Sequence, residues 1–145
     1  MRNIKKAINK KKAGSNVGNI SETVGMNAGK VWHVLAENNR LTNREIESKT
    51  KIKNEQLYAV IGWLARENRI YKDGDHYMLG ETNLTPEIGT NAGKVWTAMN
   101  EHAVLAVEGM AEHTHLAVPD IYSALGWLVR EDKIETAGKK YCLKK

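Results

Sequence analysis

Gly25-Met-Asn-Ala-Gly-Lys30 has the glycine and lysine spacing with which backbone N–H groups can cradle a phosphate. It falls short of a P-loop, because the loop is one residue too short and Val31 stands where a Ser or Thr hydroxyl would hold magnesium. Lys30 and its later counterpart Lys94 are therefore read as exposed helix residues. The histidines His33, His76, His102, His113 and His115 recur at no ligand spacing, and Cys142 is the lone cysteine, so no metal or other cofactor is expected. No nucleophile has a base beside it in sequence, and no carboxylate pair recurs. The residues predict no enzyme.

Cationic side chains remain, and they are unevenly placed. Residues 1–23 carry Arg2, Lys5, Lys6, Lys10, Lys11 and Lys12 against Glu22, a balance of +5 that equals the net charge of the whole chain. Residues 24–80 balance at +2 and residues 81–145 at −2, so the body is close to neutral. Gly14, Ser15, Asn16 and Gly18 follow the lysines, and such a segment cannot bury enough apolar surface to order itself. Residues 1–18 are read as a flexible basic N-terminal arm that either contacts phosphates or serves as a solvated tail. No apolar run approaches the ~20 residues of a membrane span, and no signal peptide is evident, so no membrane partner is expected. A single cysteine suits a reducing compartment, and the expected location is cytoplasmic, associated with the nucleoid if DNA is bound.

The elements that must position these groups come twice. Leu57-Tyr-Ala-Val-Ile-Gly-Trp-Leu-Ala-Arg-Glu-Asn-Arg-Ile70 is repeated as Ile121-Tyr-Ser-Ala-Leu-Gly-Trp-Leu-Val-Arg-Glu-Asp-Lys-Ile134, and Asn-Ala-Gly-Lys-Val-Trp stands at both 27–32 and 91–96. The offset stays at 64 without a gap from Asn19 onward, which means two copies of one unit: domain 1 over 19–80 and domain 2 over 81–145. In each long phrase the apolar residues recur at i, i+3, i+4 and i+7, marking a buried helical stripe. Gly74 and Gly138 then turn a short hairpin. In the first copy a helix capped near Asn27 is expected to bury Val31, Trp32 and Leu35. Thr42-Asn-Arg-Glu45 is a capping box for a second helix, and Lys51-Ile52-Lys53 turns into the third. The second copy has weaker signals: Ala106 replaces the capping Thr42, Gly109 sits within a helix, and Pro119 must fall in a first turn. A helix-turn-helix followed by a hairpin is a winged helix. The fold class expected is α+β, mainly α, with two tandem winged helix-turn-helix domains.

Asn-Ala-Gly-Lys-Val-Trp, the Gly-Trp-Leu core of the third helix and the Arg-Glu-x-x-Ile lead into the hairpin resemble a small prokaryotic winged helix-turn-helix family of uncharacterised function. The resemblance covers Val24 to Leu79 and Ile88 to Leu143. It implies the fold and a tendency to pair, so that two fused copies supply each other's partner as an intramolecular pseudo-dimer. It brings no substrate and no activity.

A helix that reads DNA needs polar or basic residues on the face entering the major groove. In the first copy Lys49, Lys51, Lys53, Asn54 and Gln56 stand at the turn and helix start, with Arg44 and Lys72 nearby. Together with Lys5, Lys6, Lys10, Lys11 and Lys12 these are the candidate nucleic-acid contacts, made chiefly to phosphates of double-stranded DNA. The second copy offers His113, His115, Ala117, Val118 and Asp120, a poor reading set. Opposite the core stripe lie Tyr58, Ala59, Gly62 and Trp63, matched by Tyr122, Ser123, Gly126 and Trp127. Mid-helix glycine costs ~1 kcal/mol against alanine, and aromatics beside it suggest a contact centre. These eight residues are expected to form the inter-repeat interface, with Gly62 near Gly126; the alternative is that both tryptophans complete their own domain's core. The expected function is a non-enzymatic nucleic-acid-binding protein, a regulator or an architectural factor. The competing reading is a protein–protein scaffold that binds no nucleic acid.

Overall fold

The computed structural model describes residues 20–145, and the arm with Lys5, Lys6, Lys10, Lys11 and Lys12 lies outside the described residues. The first winged helix comprises α1 (Ile20–Asn38), β1 (Leu41–Thr42), α2 (Asn43–Thr50), α3 (Asn54–Arg66), β2 (Ile70–Asp73) and β3 (His76–Leu79). The second comprises α4 (Thr90–His102), β4 (Val104–Leu105), α5 (Val107–Thr114), α6 (Val118–Arg130), β5 (Ile134–Ala137) and β6 (Lys140–Leu143). A π-helical turn over Thr85–Gly89 leads into α4. Each sheet is antiparallel, with the hairpin's second strand in the centre (β1-β3-β2 and β4-β6-β5). Leu41 pairs with Tyr77 and Ile70 with Leu79, so the wing is fastened to the strand preceding α2. The fold is α+β and mainly α, as the repeated pattern predicts.

The first helix departs from expectation. Asn27 caps nothing, because α1 has already begun by Ile20, and the buried stripe is Val24, Ala28, Val31 and Leu35. Trp32 lies about a third of a turn beyond Val31, off that stripe, and is 39% exposed. Its counterpart Trp96 is 37% exposed for the same reason. Gly25, Asn27 and Gly29 imitate a helix start in sequence, yet Val24 and Ala28 continue the apolar face through them.

Helix α2 has its capping box: Glu45 N–H donates to Thr42 Oγ1 at 3.2 Å, and Thr42 N–H donates to Glu45 Oε1 at 2.9 Å. The Thr42 backbone N–H is the main reason the Glu45 carboxyl sits below the usual carboxylate range. At the matching position Ala106 offers no side-chain bond to α5. Its φ of −83° and ψ of 168° already suit a capping residue. Ala106→Thr is therefore expected to stabilise the chain by about 1 kcal/mol, raising the melting temperature by roughly 3 °C. An unchanged melting curve would show that α5 is not limited by its unsatisfied first turn.

The segment joining the copies is anchored along the first wing. Asn83 Oδ1 accepts from Lys72 N–H at 2.9 Å, and Asn83 Nδ2 donates to Lys72 C=O at 2.7 Å. One side chain thus pairs the outer edge of β2 as a neighbouring strand would. Thr82 N–H donates to Asn68 Oδ1, and the chain then buries Leu84 and Ile88. Buried side chains of both copies form a single hydrophobic cluster.

Candidate functional site

The third helix of each copy has two apolar faces. In α3 one face, Leu57, Val60, Ile61 and Leu64, is buried in its own winged helix. The other packs on α6, in the most extensive helix–helix contact among the described residues. Glycine sets this approach. A Cβ placed on Gly62 would stand 1.8 Å from the Ser123 carbonyl oxygen, and one on Gly126 would stand 1.8 Å from the Ala59 carbonyl oxygen. No side chain fits there, so each glycine lets its helix rest on the other's backbone, close enough for Cα–H···O contact. Ser123, the counterpart of Ala59, is buried in the seam. The two copies form an intramolecular pseudo-dimer about an axis between the glycines.

The same axis relates a set of charged residues at the rim. Arg66 Nε donates to Glu131 Oε2 at 3.0 Å, and Arg130 Nε donates to Glu67 Oε2 at 2.9 Å. The Arg66 guanidinium also lies over the Trp127 ring at 5.7 Å, and that of Arg130 over the Trp63 ring at 5.5 Å. Each half-buried tryptophan is thus held between the other copy's arginine and a glycine of its own copy. A Cβ on Gly25 would come within 3.3 Å of the Trp63 ring, and one on Gly89 within 3.4 Å of the Trp127 ring. The glutamate side chains are only 21% and 18% exposed, so these pairs are better shielded from water than ordinary surface bridges. Arg66, Glu67, Arg130 and Glu131 are not among the site residues that the sequence singles out. Their signal was the phrase Trp-Leu-x-Arg-Glu, which keeps charge one helical turn after a tryptophan in both copies.

The two tyrosines expected at this face occupy different surroundings. Tyr122 lines a cavity of about 270 Å³ at the seam, with Gln56, Ala59, Gly126 and Tyr141. Burial raises the pKa of the Tyr122 hydroxyl and, more fully buried, that of Tyr141; the Glu55 carboxylate adds to both. Tyr58 instead accepts from Asn43 Nδ2 at 3.3 Å and shares a groove with Arg44, Lys72 and Asp75. Burial next to it pushes the Tyr77 hydroxyl up to about 12.

Arg44, Lys49, Lys51, Lys53, Asn54, Gln56 and Lys72 are all exposed, but they do not form one surface. Arg44 and Lys72 meet in the groove beside Tyr58, and Lys72 Nζ stands 5.7 Å from the Tyr77 ring. Lys49 lies with Lys30 and His33 in a separate shallow groove between α1 and the end of α2. Lys51, in left-handed backbone at φ 64°, and Lys53, which precedes the first turn of α3, span the turn between them. Gln56 is turned away to the seam cavity. In the second copy His113 is stacked on His102, ring centroids 3.9 Å apart. Among the described residues no three His, Cys, Asp or Glu gather as a metal site, and no helix is long and apolar enough to cross a membrane.

Two helix-turn-helix units with wings, joined through their third helices, define a tandem winged helix-turn-helix protein. The chain belongs to the winged helix-turn-helix domain family DUF2582, whose model matches residues 9–79 and again residues 81–143. Neither the curated proteins nor the solved structures contain a match.

Proposed function

We propose that this chain is a non-enzymatic nucleic-acid-binding protein, a regulator or architectural factor acting on DNA. It grips phosphates with its basic arm and with exposed cations spread over the first winged helix. One observation carries the reading: Arg44, Lys49, Lys51, Lys53 and Lys72 are exposed, and none is in a salt bridge with a described residue. Arg66, Arg69, Arg130, Lys133 and Lys144, by contrast, are all paired with carboxylates.

The seam restricts how such binding works. A major-groove reader inserts the outward face of its third helix. Here the stripe through Ala59, Gly62, Trp63 and Arg66 faces the other copy, which leaves the α2–α3 turn, the start of α3 and the wing. Those elements meet phosphates rather than base edges, so binding is weakly sequence-specific and steeply salt-dependent. The variant Arg44→Gln/Lys49→Gln/Lys53→Gln/Lys72→Gln is expected to lower the slope of log affinity against log salt by roughly 3 to 4 on duplex DNA. Removing residues 1–13 should flatten it further. A slope unchanged by both alterations would overturn this reading. It would favour a protein–protein scaffold, to which the occupied third-helix face is the one structural pointer.

A further inference from the structure

The longest identical stretch shared by the copies, Asn27–Trp32 and Asn91–Trp96, is only partly explained by the fold. Ala28 and Val31, like Ala92 and Val95, are buried core. Gly29, Lys30 and Trp32, like Gly93, Lys94 and Trp96, are exposed. The copies have diverged at the α2–α3 turn, where Lys49, Lys51 and Lys53 of the first correspond to His113, His115 and Ala117 of the second, yet these outward residues are the same. Glycine weakens a helix interior relative to alanine. At Gly62, Gly126, Gly25 and Gly89 a packed neighbour accounts for it, whereas a Cβ on Gly29 or Gly93 would meet nothing within 4 Å.

The same groove lies beside each phrase. The first, of about 310 Å³, is lined by Gly29, Trp32, Trp63, Glu67 and Arg69. The second, of about 480 Å³, is lined by the counterparts Gly93, Trp96, Trp127, Glu131 and Lys133. Glu67 in the first groove is neutralised by Arg130 and Arg69, at 2.9 and 3.8 Å. Glu131 in the second is neutralised by Arg66 and Lys133, at 3.0 and 3.4 Å. Each groove thus has two cations around one carboxylate, an excess of one positive charge. A protein-contact centre is depleted of glutamate and lysine, whereas the first groove holds Glu67 and the second Glu131 and Lys133. An exposed indole amid cations suits a base with its phosphates.

We propose that the two grooves are stacking sites for unpaired nucleobases of a nucleic-acid strand. The indoles of Trp32 and Trp96 take the bases, the bare glycine beside each admits the ring edge, and the one cation in excess at each groove, Arg69 or Lys133, takes the adjoining phosphate. This deepens the nucleic-acid reading and rests on it, adding a preference for single strands that the unpaired cations of the first winged helix do not supply.

The test is fluorescence anisotropy of the full chain with a labelled oligothymidylate of about 15 nucleotides and with a blunt duplex of equal length. Trp32→Leu/Trp96→Leu is expected to weaken single-strand binding tenfold or more and to leave duplex binding within about twofold. Trp32→Phe/Trp96→Phe, which keeps a planar ring, should recover most of the loss. Gly29→Ala/Gly93→Ala should raise the melting temperature and still weaken single-strand binding, an opposition that a merely structural role does not produce. Single-strand affinity untouched by the leucine pair would overturn the inference, as would equal losses on both probes or binding to the duplex alone. In each of those cases the variant Arg44→Gln/Lys49→Gln/Lys53→Gln/Lys72→Gln still lowers the duplex salt slope, and the proposed function survives. Binding of neither probe by the unaltered chain overturns both.

Discussion

Gly62→Ala is expected to force the two winged helices apart and to remove about 3 kcal/mol or more of stability, a large share of what a small protein has. The added methyl would occupy space 1.8 Å from the Ser123 carbonyl oxygen and 2.9 Å from the Trp127 nitrogen. Both are helical backbone atoms, so no side-chain rotation relieves the clash. Only separation of α3 from α6 does, and that also parts Arg66 from Glu131 and Arg130 from Glu67. Gly126→Ala meets Ala59 in the same way and should cost a similar amount. The double variant should lose less than the sum, because a seam already opened by one methyl accommodates the second. Urea denaturation followed by circular dichroism measures each loss. Gly29→Ala is the control, since its Cβ meets nothing and alanine is the better helix former. An unchanged urea midpoint for Gly62→Ala would mean that the helices do not touch there.

Trp63→Arg is the second large effect. The indole fills the space between Gly25 and the Arg130 guanidinium, and its loss leaves that space empty. The incoming cation would stand beside Arg130, with Glu67 left to balance both and Arg69 as well. Loss of a large aromatic in such a position costs about 3 kcal/mol, somewhat less than for a fully buried one. Trp127→Arg repeats the situation at Gly89 and Arg66. Both variants should melt earlier and show an enlarged hydrodynamic radius as the repeats lose contact. Phenylalanine at either position should cost about 1 kcal/mol, because most of the apolar contact remains. Unaltered melting and unaltered compactness in both arginine variants would contradict the seam described here.

The winged helices are legible in the sequence because their determinants are local. The i, i+3, i+4, i+7 stripes of α3 and α6, the Thr42–Glu45 box and the turn at Gly74 each act within a few residues. The glycines at 62 and 126 are informative for the opposite reason, since a helix interior tolerates glycine poorly unless something comes near. Sequence reasoning failed where periodicity was ambiguous. Gly25, Asn27 and Gly29 disguise the continuation of α1 toward Ile20, and Trp32 lies outside the face that Val31 and Leu35 already fill. The reciprocal Arg–Glu pairs were not legible, because their partners lie 63 and 65 residues apart and meet only once the pseudo-two-fold axis exists. The dispersal of Arg44 and Lys72 away from Lys49 is likewise a matter of where α2, α3 and the wing come together.

The central claim is that the would-be reading helices of two fused winged helices are packed on each other through Gly62 and Gly126. A nuclear Overhauser spectrum of the full chain tests it most directly. The structure predicts cross-peaks between the Gly126 and Ala59 α-protons and between the Gly62 α-protons and the Trp127 amide, with both repeats tumbling at one rate. Absence of these cross-peaks, with each repeat tumbling as a separate small unit, would contradict it.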